Sequence, residues 1–316
     1  MDPLSHAIIG LSIHGLSQAP SLGNPASIGA LIGAIAPDLD IITRIKGDYV
    51  YLKHHRVETH SIPGIIGVSL LITLGLSLIY SSFVFREVFL WTMIGALSHV
   101  VFDLLNSYGV ALLYPLNRKK YSINLIMIYD PVVILLSGYI LFFSGRTFFE
   151  NLMMGVIMLA YLILKALDKK SLKRILQNQY CKGAEIRKIT IMPSDYNPLK
   201  WDYIVKTKEE YLVGDIKSFR GIPNQLRRFT IITNSIIEKS LKEELGQYFE
   251  SFTPFFHIDF KEEKDRIIVK MTDLRYRVTN GFKHHAIFHY NNNAQLEKSV
   301  FHPFKMDNQI TIKNDR

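Results

Sequence analysis

Two ionisable residues stand inside an apolar stretch, His99 and Asp103 in SHVVFDLLNSYG. Within a membrane segment such groups cost about 2.5 to 3.5 kcal/mol each on insertion scales, so each needs a reason. Four residues apart, they share one helical face, and Asn106 lies one turn further along the same stripe. From that face an imidazole nitrogen and a carboxylate oxygen can converge on one cation; the alternative is a pair hydrogen-bonded to each other and to a neighbouring helix. The pair does not stand alone. Asp38 and Asp40 come at the end of an apolar segment in IAPDLD, where Pro37 helps to stop a helix. His54, His55 and His60, in HHRVETHS, immediately precede another apolar segment, and Asp130, in YDP, opens a third. With several His and Asp and no thiolate, the chemistry predicted is a divalent-metal site, with zinc the first choice, manganese or iron compatible, and two metals bridged by a carboxylate a variant. Such a site activates water and polarises the carbonyl or phosphoryl oxygen under attack, which is metal-assisted hydrolysis. Asp38 or Asp40 would then be metal bridge or general base. Arg56 would hold an anionic substrate group or pair with Glu58.

These residues can meet only if the apolar segments are arranged to bring them together. Ile62 to Tyr80 is 19 residues with no ionisable side chain except the terminal tyrosine, the length of a membrane-crossing helix. Val88 to Leu113, Pro131 to Phe143 and Phe148 to Leu167 read as three more spans, the second of these being short. Leu4 to Leu16 and Ala26 to Ala36 are too short to span comfortably alone and read as tilted spans or a re-entrant helical hairpin turning at Pro20 to Pro25. Gly29 and Gly33 give the small-residue spacing that lets helices approach closely. No basic region precedes Leu4 and no small-residue cleavage site is evident, so no removable signal peptide is expected. The basic residues Arg44, Lys46, Lys53 and Arg56, then Arg118 to Lys120, then Lys165 to Arg174, all fall in loops on one side, which makes that side cytoplasmic. The opposite loops hold only Arg86 with Glu87 and Arg146 with Glu150. In this topology Asp38, Asp40, His55, His60, Asp103 and Asp130 lie toward the cytoplasmic face, joined by His6 if the N-terminus is also cytoplasmic.

The net charge of +9 over 316 residues suggests nucleic acid until it is divided. Residues 1–164 are net neutral, and all of the excess lies in residues 165–316. That basic half is most economically explained by proximity to anionic membrane lipids. No nucleic-acid-binding motif accompanies it, so nucleic acid is not the expected partner. A hydrophobic fraction of 48% rules out disorder, and a single cysteine, Cys181, excludes a disulfide framework and any cysteine-rich zinc module. No HExxH occurs, which disfavours a metalloprotease. The expected domains are a helical membrane domain over 1–168 and a cytosolic α+β domain over 169–316. In the latter, Trp201–Lys206 with Tyr211–Ile216, Phe255–Phe260 with Arg266–Met271, and His284–Tyr290 with Gln295–Phe301 read as β-hairpins. Thr230 to Leu245 reads as one amphipathic helix. His285 and His289 would share a strand face and are taken as surface histidines.

In order, DPLSHAIIG, PDLD, HRVETHS before a span and SHVVFDLLNSYG inside one resemble the membrane-bound metal-dependent hydrolase family of the YdjM and YbcI type over about residues 1–165. The resemblance implies a multi-span inner-membrane protein with metal-dependent hydrolase activity. It points to His6, His55, His60, His99, Asp103 and Asp130 as metal ligands and to Asp38, Asp40 and Arg56 as catalytic residues. The family's third element usually reads HRGxTHS; here Val57 and Glu58 stand at the glycine and its neighbour. His with Asp on one helix is also similar to the all-helical zinc-dependent phospholipase C and nuclease group, an analogy for phosphoester or lipid-headgroup hydrolysis. The expected protein is therefore a polytopic α-helical membrane domain, about four spans plus the N-terminal hairpin, with a cytosolic α+β domain. It would act on a phosphoester or lipid-derived substrate at the cytoplasmic membrane face. A metal or proton transporter is the first rival, and it would carry polar residues at the midplane of several spans. A non-catalytic scaffold with a cytosolic binding domain is the second. The oligomeric state is not specified by the sequence.

Overall fold

The computed structural model describes residues 1–143, 145–181, 185–195, 197–219, 221–278, 281–304 and 306–312. The chain divides into two compact units: Met1–Ile45, His54–Ser171 and Pro193–Lys200 form the first, and Lys46–Lys53, Leu172–Met192 and Trp201–Arg316 the second.

The first unit is helical. Four of its helices start in the same way, with a polar N-cap followed by proline in the first turn, where proline's missing N–H removes no helical bond. Asp2 caps α1 (Pro3–Gly15), Asn24 caps α2 (Pro25–Ile35), Ser61 caps α4 (Ile62–Ser77) and Asp130 caps α6 (Pro131–Phe142). Between them lies α5 (Phe85–Leu105), and α7 (Phe148–Tyr180) follows, its last turns belonging to the second unit, as does α3 (Asp48–His54) up to Lys53. The tightest packing is α2 on α5. A Cβ on Gly33 would collide with the Thr92 carbonyl oxygen, and one on Gly95 with that of Ala30, so these helices meet backbone to backbone. The sequence spacing had marked Gly33 but not its partner Gly95.

Pro37 does not end the second apolar segment. It changes the winding, and the chain continues from Ala36 to Lys46 as a 3-10 helix. Helix and extension together make Pro25–Lys46, 22 residues that are long and apolar enough to cross a membrane, rather than the short segment expected. Among the described residues Phe85–Leu105 and Phe148–Tyr180 also meet that criterion, whereas Ile62–Ser77 and Pro131–Phe142 are shorter apolar helices. The span expected over 62–80 stops at Ser77; its 16 residues rise about 24 Å, less than a hydrocarbon core of about 30 Å. The span expected over 88–113 stops at Leu105, where Asn106 turns extended and the chain folds back. Ile123 and Leu125 then donate their N–H groups to the Leu104 and Leu105 carbonyls at 2.7 and 2.6 Å, capping the end of α5.

The second unit is α/β. One sheet has strand order β1-β2-β3-β4, formed by Ile186–Pro193, Lys200–Thr207, Glu210–Lys217 and Pro223–Thr230. The other is antiparallel, in order β11-β10-β9-β6-β5, where β5 is Phe256–Glu263, β6 Arg266–Asp273, β9 His285–Tyr290, β10 Leu296–His302 and β11 Ile310–Ile312. A two-stranded ladder, β7 (Arg277–Val278) and β8 (Gly281–Phe282), lies between β6 and β9 in the chain. The three expected hairpins are present. The single helix expected over 230–245 is not: Thr230 ends β4, and two helices, α8 (Ser235–Lys242) and α9 (Glu244–Phe252), meet at an extended Glu243. Ile237, Leu245 and Phe249 from these helices pack with Val269, Met271, Phe288 and Phe301 of the sheet. His285 is not a surface residue. It is buried, with its ring nitrogens on Thr272 Oγ1 and the Phe282 carbonyl, and burial pushes its pKa down to about 4.

Candidate metal centre

The end of α2 and its 3-10 extension, the loop 54–61 and the last turns of α5 bring together Asp38, Asp40, His55, His60, His99 and Asp103 of the predicted residues, with Arg56 against Asp103. His99 sits on α5 where α2 comes closest. Its Nδ1 is 2.7 Å from the Ala34 carbonyl oxygen, an acceptor that holds the proton there and leaves Nε2 as the ligand atom. His60 Nε2 lies 3.1 Å from His99 Nε2. Asp38 Oδ1 is 3.8 Å from His60 Nε2 and 3.6 Å from His99 Nε2, and Asp103 Oδ2 is 3.6 Å from each. Tetrahedral ligands at about 2.0–2.1 Å from zinc stand about 3.4 Å apart, close to these edges. Asp103 Oδ2 accepts no aligned hydrogen bond although it is buried. The four donor atoms thus fit a divalent cation.

A second group shares Asp38. One ligand atom each from Asp38, Asp40 and His55 lies within 4.8 Å of the others. Asp40 also builds the loop: it takes His55 Nδ1 at 2.9 Å on one oxygen and the Arg56 backbone N–H at 2.9 Å on the other. Arg56 is held in the left-handed region, φ 63°, and its carbonyl accepts from Ala111 N–H. Val57, at the family's glycine position, has no positive φ; its N–H bonds the His54 carbonyl in an ordinary turn.

Arg56 does not pair with Glu58. Its Nε is 2.9 Å from Asp103 Oδ2, one terminal nitrogen donates to Asp103 Oδ1 at 3.1 Å, and the other donates to Asn106 at 3.2 Å. Glu58 faces His54 instead. His6, expected as a ligand, lies in neither group; its ring stacks on His99 at 3.6 Å between centroids, and its Nε2 is 3.3 Å from Asp103 Oδ1. The Met1 nitrogen also contacts Asp103. Asp130 is not brought to the site. It caps α6 through Val132 and Val133 N–H and accepts the Tyr161 hydroxyl on both oxygens, which accounts for its burial. Two contributors went unnoticed in the sequence: Thr59, whose hydroxyl meets His60 Nδ1 at 3.1 Å, and Lys120, which donates to the His55 carbonyl at 2.7 Å. Thr59 lies inside the THS element and could have been read from it; Lys120 arrives from a loop 65 residues away.

Electrostatically the site separates its carboxylates. Asp103 is fully buried among Arg56, His6, His60 and His99, whereas Asp38 keeps 11% of its side chain exposed. Burial pushes the pKa of His55 down and that of His60 down to about 3, so both imidazoles are neutral near pH 7, the form that ligates.

A helical membrane half with a buried His/Asp cluster, followed by an α/β half, defines a membrane protein with a candidate metal centre. Residues 1–172 match the family described as YdjM inner membrane protein, and the chain belongs to that family. Residues 235–311 match the YfhP C-terminal alpha/beta plait domain. The chain is similar to YfhP of Bacillus subtilis (strain 168), described as an uncharacterized protein: 27% identical over 329 residues, covering 99% of each chain. No solved structure matches the chain.

Proposed function

We propose that the protein is a metal-dependent hydrolase of the membrane, acting on a phosphoester or lipid-derived substrate at the cytoplasmic face, with its C-terminal domain cytoplasmic. The observation that carries this reading is the close set of Asp38 Oδ1, His60 Nε2, His99 Nε2 and Asp103 Oδ2, in which each histidine nitrogen lies 3.1–3.8 Å from the other three donor atoms. Bound there, zinc, manganese or iron would activate water and polarise the phosphoryl or carbonyl oxygen. Asp38 is common to both groups, so a second cation would be held by Asp38, Asp40 and His55. Arg56 neutralises Asp103 and fixes its position, and Asn106 orients both through its amide. Asp38, the most exposed carboxylate of the four-ligand group, is the one a substrate can reach and the one able to take a proton from attacking water.

The test is metal analysis of purified wild type and His99→Ala side by side, followed by a screen of phosphoester and lipid substrates. Stoichiometric metal in wild type, its loss in the variant and metal-dependent turnover of one substrate class support the proposal. Metal-free wild type of unchanged stability refutes it.

A further inference from the structure

The 3-10 helix Ala36–Lys46 carries two of the site carboxylates and runs for 11 residues, where three or four is the usual length. In this winding residues three apart lie directly above one another, so the segment has three straight rows. Pro37, Asp40 and Thr43 form the inward row: Pro37 and Asp40 are buried, Thr43 is half-buried, and Thr43 Oγ1 donates to the Asp40 carbonyl. Asp38, Ile41 and Arg44 form the second row. Leu39, Ile42 and Ile45 form the third, 52%, 61% and 87% exposed and wholly apolar. At about 2.0 Å rise per residue this last row is a straight apolar strip about 12 Å long. It begins at the residue next to Asp38.

An α-helix over the same residues would spread Leu39, Ile42 and Ile45 around the cylinder, since three residues turn 300° rather than a full circle. The 3-10 winding keeps the apolar row, the row containing Asp38 and the inward row of Asp40 separate along the whole segment. A ligand suited to both outer rows has a polar end that reaches Asp38 and an extended hydrocarbon portion beside it.

We propose that Leu39, Ile42 and Ile45 form a rail for one acyl chain of a lipid phosphoester, admitting its headgroup from the plane of the bilayer to the cation site that Asp38 borders. This rests on the hydrolase reading and selects, from the substrates that reading allows, a membrane lipid over a soluble ester. Ile41, 51% exposed and stacked over Asp38 in the second row, borders the same path. Arg44 follows it on that row, where a guanidinium suits the level of anionic headgroups.

The experiment uses the full-length protein in nanodiscs of a zwitterionic lipid doped with one of two photoactivatable probes. One is a phosphatidic acid with a diazirine in its acyl chain, and the other is the corresponding diacylglycerol, which has the same chains and no phosphate. Crosslinks are mapped by mass spectrometry, with Leu70, Leu71 and Leu74 on α4, all exposed and apolar, as the reference for ordinary surrounding lipid. With a divalent ion supplied, the expected result is about tenfold more labelling of residues 39–45 by the phosphatidic acid than by the diacylglycerol, the ratio given by one charge-assisted contact, of ~1.4 kcal/mol, between the phosphate and a cation. On α4 the two probes should label equally. Asp38→Asn should bring the ratio at 39–45 to that of α4. Ile42→Trp, which keeps the row apolar but obstructs it, should lower phosphatidic-acid labelling at Leu39 several-fold with bound metal unchanged. Equal labelling of 39–45 by the two probes, or an unchanged pattern in Ile42→Trp, overturns the rail. Metal content measured on the same samples keeps the two ideas apart: metal-bound protein without headgroup preference refutes only the rail, whereas protein that takes up no divalent ion refutes the hydrolase reading beneath it.

Discussion

Asp38 and Asp103 both belong to the four-ligand group, yet replacing each by asparagine should have different consequences. Asp38 meets His60 and His99 at 3.8 and 3.6 Å, and among the described residues no hydrogen bond ends on it. Asp38→Asn therefore removes a ligand charge and little else, costing the metal-free protein less than ~1 kcal/mol. Asp103 is fully buried and holds Arg56 at 2.9 and 3.1 Å, with Asn106 Nδ2 at 2.9 Å. Asp103→Asn strands a buried guanidinium, and breaking such a pair costs about 3–5 kcal/mol. For the metal, a four-ligand zinc site is worth about 10–16 kcal/mol, or about 2.5–4 per ligand, so each variant should bind zinc roughly 10²- to 10³-fold more weakly. Competition with a zinc indicator in detergent gives the affinities, and denaturant unfolding in the presence of a chelator gives the metal-free stabilities. Wild-type zinc affinity in Asp38→Asn would refute the assigned ligand set. Wild-type metal-free stability in Asp103→Asn would refute the claim that Arg56 depends on that carboxylate.

Three further outcomes follow from the same structure. His284 is fully buried and burial pushes its pKa down to about 4, so the folded state excludes a proton that the unfolded chain accepts below about 6.5. Its contribution is complete above that value and is lost as pH falls toward 4, amounting to on the order of 3 kcal/mol, so stability followed by Trp201 fluorescence in a Trp91→Phe background should fall over this window, and fall about half as steeply in His284→Gln, where His285, shifted as far, still titrates. Gly95→Val places a side chain against the Ala30 carbonyl and should cost at least ~1–3 kcal/mol, separating α2 from α5 and lowering metal stoichiometry together with thermal stability. Topology is tested with an impermeant maleimide on intact cells: a cysteine at Ser82 in a Cys181→Ser background should label from outside, whereas exposed native Cys181 should label only after lysis. The reverse pattern would invert the proposed orientation.

What the sequence made legible was chemistry carried by local spacing. His99 and Asp103 could be placed on one face because four residues make about one helical turn, and the hairpins of the second half could be read because alternation with a polar turn is local. What it hid was set by packing. Pro37 reads as a helix stop, but in a 3-10 helix the chain continues through it, so a segment that looked too short became 22 residues. Asp130 reads as a site carboxylate because it opens an apolar segment, and only the structure shows both its oxygens on Tyr161 and its role at the start of α6. Arg56 looked equally ready for Glu58, two residues away. The loop that turns at Arg56 sends its guanidinium to Asp103, 47 residues on, which no local pattern encodes.

The unequal burial of the carboxylates also bears on how a site of this kind can hold metal and still work. Asp103 is surrounded by positive or potentially positive groups and cannot move without exposing Arg56, so it suits a fixed ligand. Asp40 is committed to His55 and to the Arg56 backbone and acts through the loop. Asp38 has neither constraint: it follows Pro37 and stands on a 3-10 helix whose hydrogen bonds are poorer than those of an α-helix. A carboxylate that can shift between one-metal and bridging geometries, or take a proton, should be the least anchored of the set. The same freedom makes Asp38→Glu an informative substitution. Its extra methylene should be absorbed with retention of metal, whereas Asp103→Glu, in a fully enclosed position, should cost ~1–3 kcal/mol from overpacking. Equal tolerance at both positions, measured by metal content and unfolding together, would remove the basis for giving the two residues different roles.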